Sequence, residues 1–137
     1  MAFDVDTITN SVPESLVAEG RAERAGDFHG HRVYLIDTDY VLDNFFGSYN
    51  KSYDGSARDA LLFIEDERQA KITNAISSNG FRAPIAASGG LQLVDGHARL
   101  AAALALGISR VPVSFSIFYE VQLGSLPLAD EPITVSV

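Results

Sequence analysis

Residues that could hold a negatively charged ligand lie close together in the second half of the chain. Asp95, Gly96, His97 and Arg99 fall within five consecutive positions, directly after the run Leu91–Val94. A glycine at a strand–helix junction leaves room for a ligand, and the unpaired N–H groups of a helix N-terminus attract anions. An arginine one turn into that helix could reach the same anion with its fork of N–H donors. This spacing predicts a phosphate or carboxylate site.

Each of these residues could contribute to such a site or could have an ordinary structural role instead. The backbone from Gly96 to Ala98 would hold phosphate oxygens, and Asp95 would either cap the helix or offer oxygen to a magnesium ion. His97 would serve as a general acid or base near neutral pH, or would face the solvent in the first turn. The alternative to a site is a strand–helix–strand unit that Asp95 merely caps.

The elements that must position these residues follow from the local pattern. Leu91–Val94 has strand character, Gly107 is typical of a helix end, and Val111–Val113 begins a further strand. Between them, four apolar residues recur on one helical face: Leu100, Ala101, Leu104 and Ala105. A strand, a helix and a strand in direct succession predict an α/β fold.

The same stretch resembles the signature of the ParB N-terminal-like and sulfiredoxin superfamily. The motif DGHARLAA at 95–102 contains a Gly-x-x-Arg-x-x-Ala box, followed by Leu-Gly at 106–107 and Val-Pro-Val at 111–113. Upstream, ISSNGFRAPI at 76–85 is similar to the serine-containing helix end, glycine and Pro-Ile strand of that superfamily. The similarity covers roughly residues 66 to 115, about a third of the chain.

The resemblance implies a small mixed β-sheet flanked by helices, with a nucleoside triphosphate bound at the box. Some members of the superfamily hydrolyse or transfer the phosphoryl group, some have been described as nucleases, and some only bind. The chain contains no cysteine, which excludes the sulfiredoxin reaction because that reaction depends on a cysteine in the box. The upstream Asn/Gln-Pro-Arg box of the superfamily is not evident here. Arg58 is the best substitute for its arginine as a phosphate ligand, and Arg68 is the second.

Composition indicates a globular chain built around one core. The 137 residues are 47% hydrophobic and 20% charged, and the lack of cysteine excludes disulfides and thiolate zinc sites. We divide the chain into an acidic, partly helical extension (1–31), the ParB/sulfiredoxin-like domain (32–117) and a strand-forming tail (118–137). No apolar run approaches the ~20 residues that span a membrane, and the acidic N-terminus is unlike a secretory signal. We therefore expect a cytoplasmic protein.

The net charge of −8 comes from the two ends of the chain. Residues 1–50 contain nine acidic and three basic residues, 51–110 contain six and seven, and 111–137 contain three acidic residues and no basic one. Strong DNA binding is not expected, because it needs clustered lysine and arginine. About 20 residues follow Phe115. They are too few for the helix-turn-helix domain that partition proteins of the superfamily carry.

A second group of acidic residues follows the predicted strand Arg32–Ile36. Asp37, Asp39 and Asp43 would supply oxygen ligands to a divalent cation, or would form a helix cap and a solvated helix face. In the superfamily fold this strand end lies near the ligand. Asp37 and Asp39 are therefore candidate magnesium ligands.

The remaining predictions concern the elements on either side. His29 and His31 have the spacing of two ligands on a strand, but no third ligand lies near them in the sequence, which favours a surface loop. The other predicted elements are a helix from Pro13 to about Ala25, a long helical segment over 57–79 with a break near 65–67, strands at 83–87 and 91–94, and an edge strand at 133–137. The edge strand would complete this sheet or pair with a second copy of the chain.

Three functional hypotheses follow. The leading one is a nucleotide-binding module that hydrolyses a nucleoside triphosphate or transfers its phosphoryl group, with catalytic roles for His97 and Asp95 and with magnesium as the metal. The alternative is a non-enzymatic interaction protein of phage or mobile-element type, whose acidic flanks bind a basic host partner. A metal-dependent nuclease or toxin is the third hypothesis, and the few metal ligands and low basicity argue against it.

Overall fold

The computed structural model of the chain contains one five-stranded sheet and, among the residues it describes, five helices. The described residues are 12–47, 55–61, 66–116, 128–129 and 132–133. In chain order the elements are α1 (Glu14–Ala18), β1 (Ala22–Phe28), β2 (His31–Asp37), α2 (Thr38–Asn44), α3 (Ala57–Ala60), α4 (Asp66–Asn79), β3 (Ile85–Ser88), β4 (Leu93–Asp95), α5 (His97–Leu106) and β5 (Arg110–Ser116).

The sheet is mixed, with the strand order β1-β2-β5-β3-β4. The central strand β5 runs antiparallel to β2, with Val113 opposite Tyr34, and parallel to β3, with Val113 opposite Ile85. β3 and β4 are antiparallel neighbours. α5 then carries the chain from the edge strand β4 back to β5 in the centre. The predicted α/β class is therefore confirmed.

The core forms where α4 and α5 pack together and α5 contacts β3 and β5. The central strand is buried from Val111 to Phe115, as expected for a strand with neighbours on both sides. On α5 the fully buried residues are Leu100, Ala102 and Ala103. The predicted apolar face of this helix was therefore wrong apart from Leu100, and Leu104 is 44% exposed. Because most positions of α5 are alanine or leucine, the apolar pattern alone does not define which face is buried.

Two glycines in the left-handed conformation set the limits of α5. Gly107 ends the helix with φ +70°, as predicted from the sequence. Gly96 begins it with φ +98° and packs against β3. A methyl group on Gly96 would lie 3.1 Å from the Ile85 Cα and 3.2 Å from its Cγ1, so a side chain at this junction would crowd β3. The glycine therefore fixes the start of α5 against the sheet.

The N-terminal part of the chain differs from its prediction. The helix predicted from Pro13 to about Ala25 ends at Ala18, and the chain then enters β1 at Ala22. β1 pairs with β2 from Ala22 opposite Ile36, and His31 is the first residue of β2 rather than part of a loop. The apolar pattern of β1 is weak because most of this edge strand is exposed, so its strand character depends on pairing with β2.

The predicted helical segment over 57–79 contains two helices, α3 and α4, and its predicted break near 65–67 falls at the start of α4. The strands predicted at 83–87 and 91–94 correspond to β3 and β4, each shifted by one or two residues. Of the predicted edge strand at 133–137, Ile133 forms an isolated bridge with Phe81 and the rest lies outside the described residues. No helix in the described part of the chain has the length and apolar character required to cross a membrane.

The contact between Gly96 and β3 gives a stability prediction. We expect Gly96→Ala to reduce the free energy of unfolding by about 3 kcal/mol, because it adds left-handed backbone strain to a clash with the Ile85 backbone. Urea denaturation followed by circular dichroism measures this loss. Gly107→Ala is the matched control, since Gly107 also has a positive φ but no atom within 4 Å of the place that a methyl group would take. It should cost only about 1–2 kcal/mol. Equal losses in the two variants would contradict a rigid junction at Gly96.

Candidate functional site

The residue at the capping position of α5 is a glycine, which has no side chain with which to cap the helix. Asp95 was predicted to cap this helix, but it is the last residue of β4, opposite Ala86, and the capping position belongs to Gly96. No side-chain hydrogen bond caps the helix at that position. The first N–H groups of a helix have no partner within the helix. N–H groups in this position are the ones that take up phosphate oxygens in other proteins.

The scaffold holds this turn on two sides. Gly96, His97 and Ala98 are buried, with the Ile85 backbone directly against Gly96. From α4, Gln69 donates from Nε2 to the Ala98 carbonyl oxygen at 3.2 Å and to the Thr73 hydroxyl oxygen at 2.9 Å. The amide of Gln69 thus ties the first turn of α5 to α4.

Arg99 lies on the same turn and is partly buried. Its Nη1 donates to the Pro84 carbonyl oxygen over 3.4 Å, which is a long hydrogen bond. Burial lowers the pKa of the Arg99 guanidinium, and the negative charge of Asp95 opposes that change while the positive charge of Arg68 adds to it. An arginine stays protonated in proteins, so Arg99 brings a fixed positive charge to a partly desolvated position.

His97 responds to the same surroundings in a different way. The residue is 7% exposed, and burial lowers its pKa below the ordinary value of 6.5. Asp95 acts in the opposite direction and Arg68 reinforces the effect of burial. The imidazole is therefore neutral at pH 7, with one ring nitrogen able to donate and the other able to accept a proton. A neutral imidazole suits a general base or a hydrogen-bond donor better than a cationic phosphate ligand.

Arg99 also reaches a small cleft between the C-terminal half of α4 and the loop that precedes β3. The cleft has a volume of about 150 Å³. Its walls are mostly apolar, with Asn79, Arg82 and Arg99 as polar members. The other lining residues are Ile72, Ala75, Ile76, Gly80, Phe81, Ala83 and Leu128. We call this space the Arg99 cleft.

The acidic residues predicted as magnesium ligands lie at the other end of α5. Asp37, Asp39 and Asp43 line a wide cleft of about 680 Å³ together with Leu104 and Gly107. α5 contains ten residues, so its two ends are roughly 15 Å apart at 1.5 Å per residue. Asp37 and Asp39 are therefore not brought to the first turn, where Asp95 and Arg99 lie. The sequence order gave no indication of which end of the helix they would face.

Arg58, the predicted substitute for the upstream arginine, is also placed elsewhere. Its Nε donates to Asp43 Oδ1 at 2.7 Å and its Nη2 to Asp43 Oδ2 at 3.2 Å, while Asp39 lies 3.7 Å away. The hydrogen bond from Arg58 lowers the pKa of the Asp43 carboxyl. Arg68, the second substitute, lies on α4, and its charge acts on both His97 and Arg99. The structure thus brings Arg68 rather than Arg58 towards the first turn of α5.

Within the described ranges, no group of three or more histidine, cysteine, aspartate or glutamate residues is arranged to hold a metal ion. This statement includes His29 and His31 at the β1–β2 turn. Of the carboxylates predicted to bind magnesium, only Asp95 lies at the first turn of α5.

Sequence analysis did not identify two residues that shape the site. Gln69 has no motif around it, and its role depends on the packing of α4 against α5. The carbonyl oxygen of Pro84 accepts a hydrogen bond from Arg99. In the sequence, Pro84 is recognisable only as part of a Pro-Ile strand start. Both contacts depend on tertiary structure.

Comparison of this chain with protein-family models, with curated proteins and with solved structures gives no match.

The buried His97 gives a prediction for the pH dependence of stability. Its pKa in the folded chain is below the ordinary value of 6.5, so the unfolded chain binds more protons at pH values near and just below 6.5. The free energy of unfolding should therefore fall between pH 7.5 and pH 5.5. In His97→Gln this fall should be smaller, as measured by urea denaturation at both pH values.

A second histidine provides the comparison. The pKa of His31 is also lowered, mainly by burial and further by His29. His31→Gln should therefore flatten the pH dependence too, and the double variant should flatten it more than either single change. If His97→Gln kept the full pH dependence of the wild type, the burial of a neutral imidazole at this position would be refuted.

Proposed function

We propose that this chain is a nucleotide-binding protein that holds phosphate at the first turn of α5. The observation that carries the proposal is the pairing of a helix start with glycine at its capping position and the partly buried guanidinium of Arg99 on the same turn. Backbone N–H groups and a guanidinium are the donors that phosphate oxygens take up in proteins. The resemblance of residues 95–102 to the Gly-x-x-Arg-x-x-Ala box supports the nucleotide as the source of the phosphate.

The charges around the turn favour an anionic ligand. Arg99 brings a fixed positive charge, and the charge of Arg68 also reaches this position. Asp95 balances part of that charge. A bound phosphate would complete the neutralisation in surroundings where an uncompensated charge is costly.

Hydrolysis or phosphoryl transfer belongs to the same proposal, with two residues in named roles. His97 is neutral and lies under the electrostatic influence of Asp95, as a general base oriented by a carboxylate would. Asp95 would also offer oxygen to a magnesium ion that accompanies the phosphates, which would supply charge neutralisation on the transferred group. These roles require no contribution from Asp37 or Asp39.

Nucleotide titration tests the binding step. Purified protein is titrated with labelled ATP, CTP and GTP and with their diphosphates, with and without magnesium, up to millimolar concentrations. We expect at least one nucleotide to bind. Arg99→Ala should weaken that binding by roughly 10- to 100-fold, because hydrogen bonds to charged groups are worth about 1.5–3 kcal/mol.

Arg21→Ala is the matched control. It removes an exposed arginine beside the acidic cleft at the other end of α5 and should leave nucleotide affinity unchanged. Thermal melts of both variants show that the fold is intact. Binding of no nucleotide by the wild type, or equal affinity in Arg99→Ala, would overturn the proposal. Phosphate release by the wild type but not by His97→Gln would support turnover.

A further inference from the structure

One residue that lines the Arg99 cleft comes from a part of the chain outside the sheet and its helices. Leu128 is one of the residues that line the cleft, and it is 63% exposed. The other lining residues belong to α4, to the loop that precedes β3, or to α5. The width of the cleft on the Leu128 side therefore depends on how the C-terminal segment is attached.

Backbone hydrogen bonds attach this segment to the loop before β3. The Ala129 N–H donates to the Arg82 carbonyl oxygen at 2.8 Å, and the Ile133 N–H donates to the Phe81 carbonyl oxygen at 2.7 Å. In return, Arg82 Nη1 donates to the Ala129 carbonyl oxygen at 3.3 Å. We call Leu128, Ala129, Pro132 and Ile133 the strap.

A steric contact defines a further point of attachment. A methyl group built on Gly80 would lie 2.8 Å from the Pro132 Cβ, so Pro132 sits where any side chain at position 80 would lie. Gly80 has φ +73° and follows directly after α4. The strap therefore fits closely only because position 80 is glycine.

The chemistry of the cleft defines the class of ligand that it would take. Arg99 in its lining matches a phosphate or carboxylate group, whereas most of the remaining wall is apolar. A cavity of about 150 Å³ lined by apolar side chains accepts a molecule the size of benzene. The space suits an uncharged group about as large as one aromatic ring, attached to an anion.

We propose that the Arg99 cleft selects organic phosphates with a ring-sized apolar group and that Leu128 is the specificity-determining residue. This selection requires that the strap be attached at Gly80. This inference rests on the proposed function, because Arg99 must hold the phosphate. It adds that the cleft distinguishes phosphates by the organic group that they carry. The strap contributes that selection through Leu128 alone, since its other described residues contact the loop and the core.

Two probes that share the phosphate group and differ by one ring test the inference. Inorganic phosphate would be held by the first turn of α5 and Arg99, and phenyl phosphate adds one ring to the same anion. The wild type should bind phenyl phosphate about tenfold more tightly than inorganic phosphate, because the ring buries apolar surface in the cleft. Leu128→Ala should lose most of this preference and leave the affinity for inorganic phosphate unchanged. Isothermal titration calorimetry on the full chain measures both affinities.

Leu104→Ala is the matched control, because Leu104 is an exposed leucine that lines the acidic cleft at the other end of α5. It should keep the tenfold preference. Gly80→Ala should lose the preference through its clash with Pro132, and adding Pro132→Gly should restore part of it. The backbone strain at position 80 is common to those two variants, so their difference reports the contact with Pro132.

The outcomes separate the two proposals. Equal affinity of the wild type for phenyl phosphate and inorganic phosphate would overturn the role of the strap while leaving phosphate binding at Arg99 in place. A preference that survives in Leu128→Ala would overturn the role of Leu128. Failure of both probes and of all nucleotides to bind would overturn the proposed function and this inference with it.

Discussion

The close approach of Gly96 to β3 is the constraint on which the candidate site depends. It places the start of α5 directly against the Ile85 backbone, so the first turn of the helix is buried by the sheet. The other end of α5 is fixed separately: the Thr38 hydroxyl donates to the Ile108 carbonyl oxygen at 2.7 Å and the Thr38 N–H to the Ser109 carbonyl oxygen at 2.8 Å. With both ends held, the residues of the first turn keep one orientation relative to the strands.

Burial of that turn has opposite consequences for its two basic side chains. Desolvation disfavours the charged form of any group, and it lowers the pKa of both His97 and Arg99. The ordinary pKa of histidine is close to neutral pH, so a lower pKa leaves His97 uncharged. The ordinary pKa of arginine is so high that Arg99 keeps its charge. The turn therefore combines a permanent cation with a neutral imidazole. This combination separates two tasks, since the cation can hold an anion while the neutral imidazole can accept a proton.

Sequence analysis was most successful where structure is decided locally. The start of α5 near residue 96, its end at Gly107 and the strand that follows were predicted because glycine positions and short apolar runs act over a few residues. The buried face of α5 was predicted wrongly because an alanine-rich helix has no strong apolar stripe. β1 was not predicted because an exposed edge strand has little apolar alternation in its sequence, and its strand character depends on pairing with β2. The sequence also did not indicate which end of α5 would lie near Asp37, Asp39 and Arg58, because that is decided by the tertiary fold.

The charges at the two ends of α5 are set by the tertiary fold and agree only in part with the helix dipole. A helix is stabilised by negative charge at its N-terminus and by positive charge at its C-terminus. Here the first turn contains no acidic residue and carries Arg99, while the far end faces Asp37, Asp39 and Asp43 and the last turn contains no basic residue. Asp95 directly precedes Gly96 and has the sign that the dipole favours, and Arg58 pairs with Asp43 and Asp39 at the far end, so neither end simply opposes the dipole. The partial burial of the Arg99 guanidinium next to Asp95 is therefore the feature of this helix start for which the dipole gives no account.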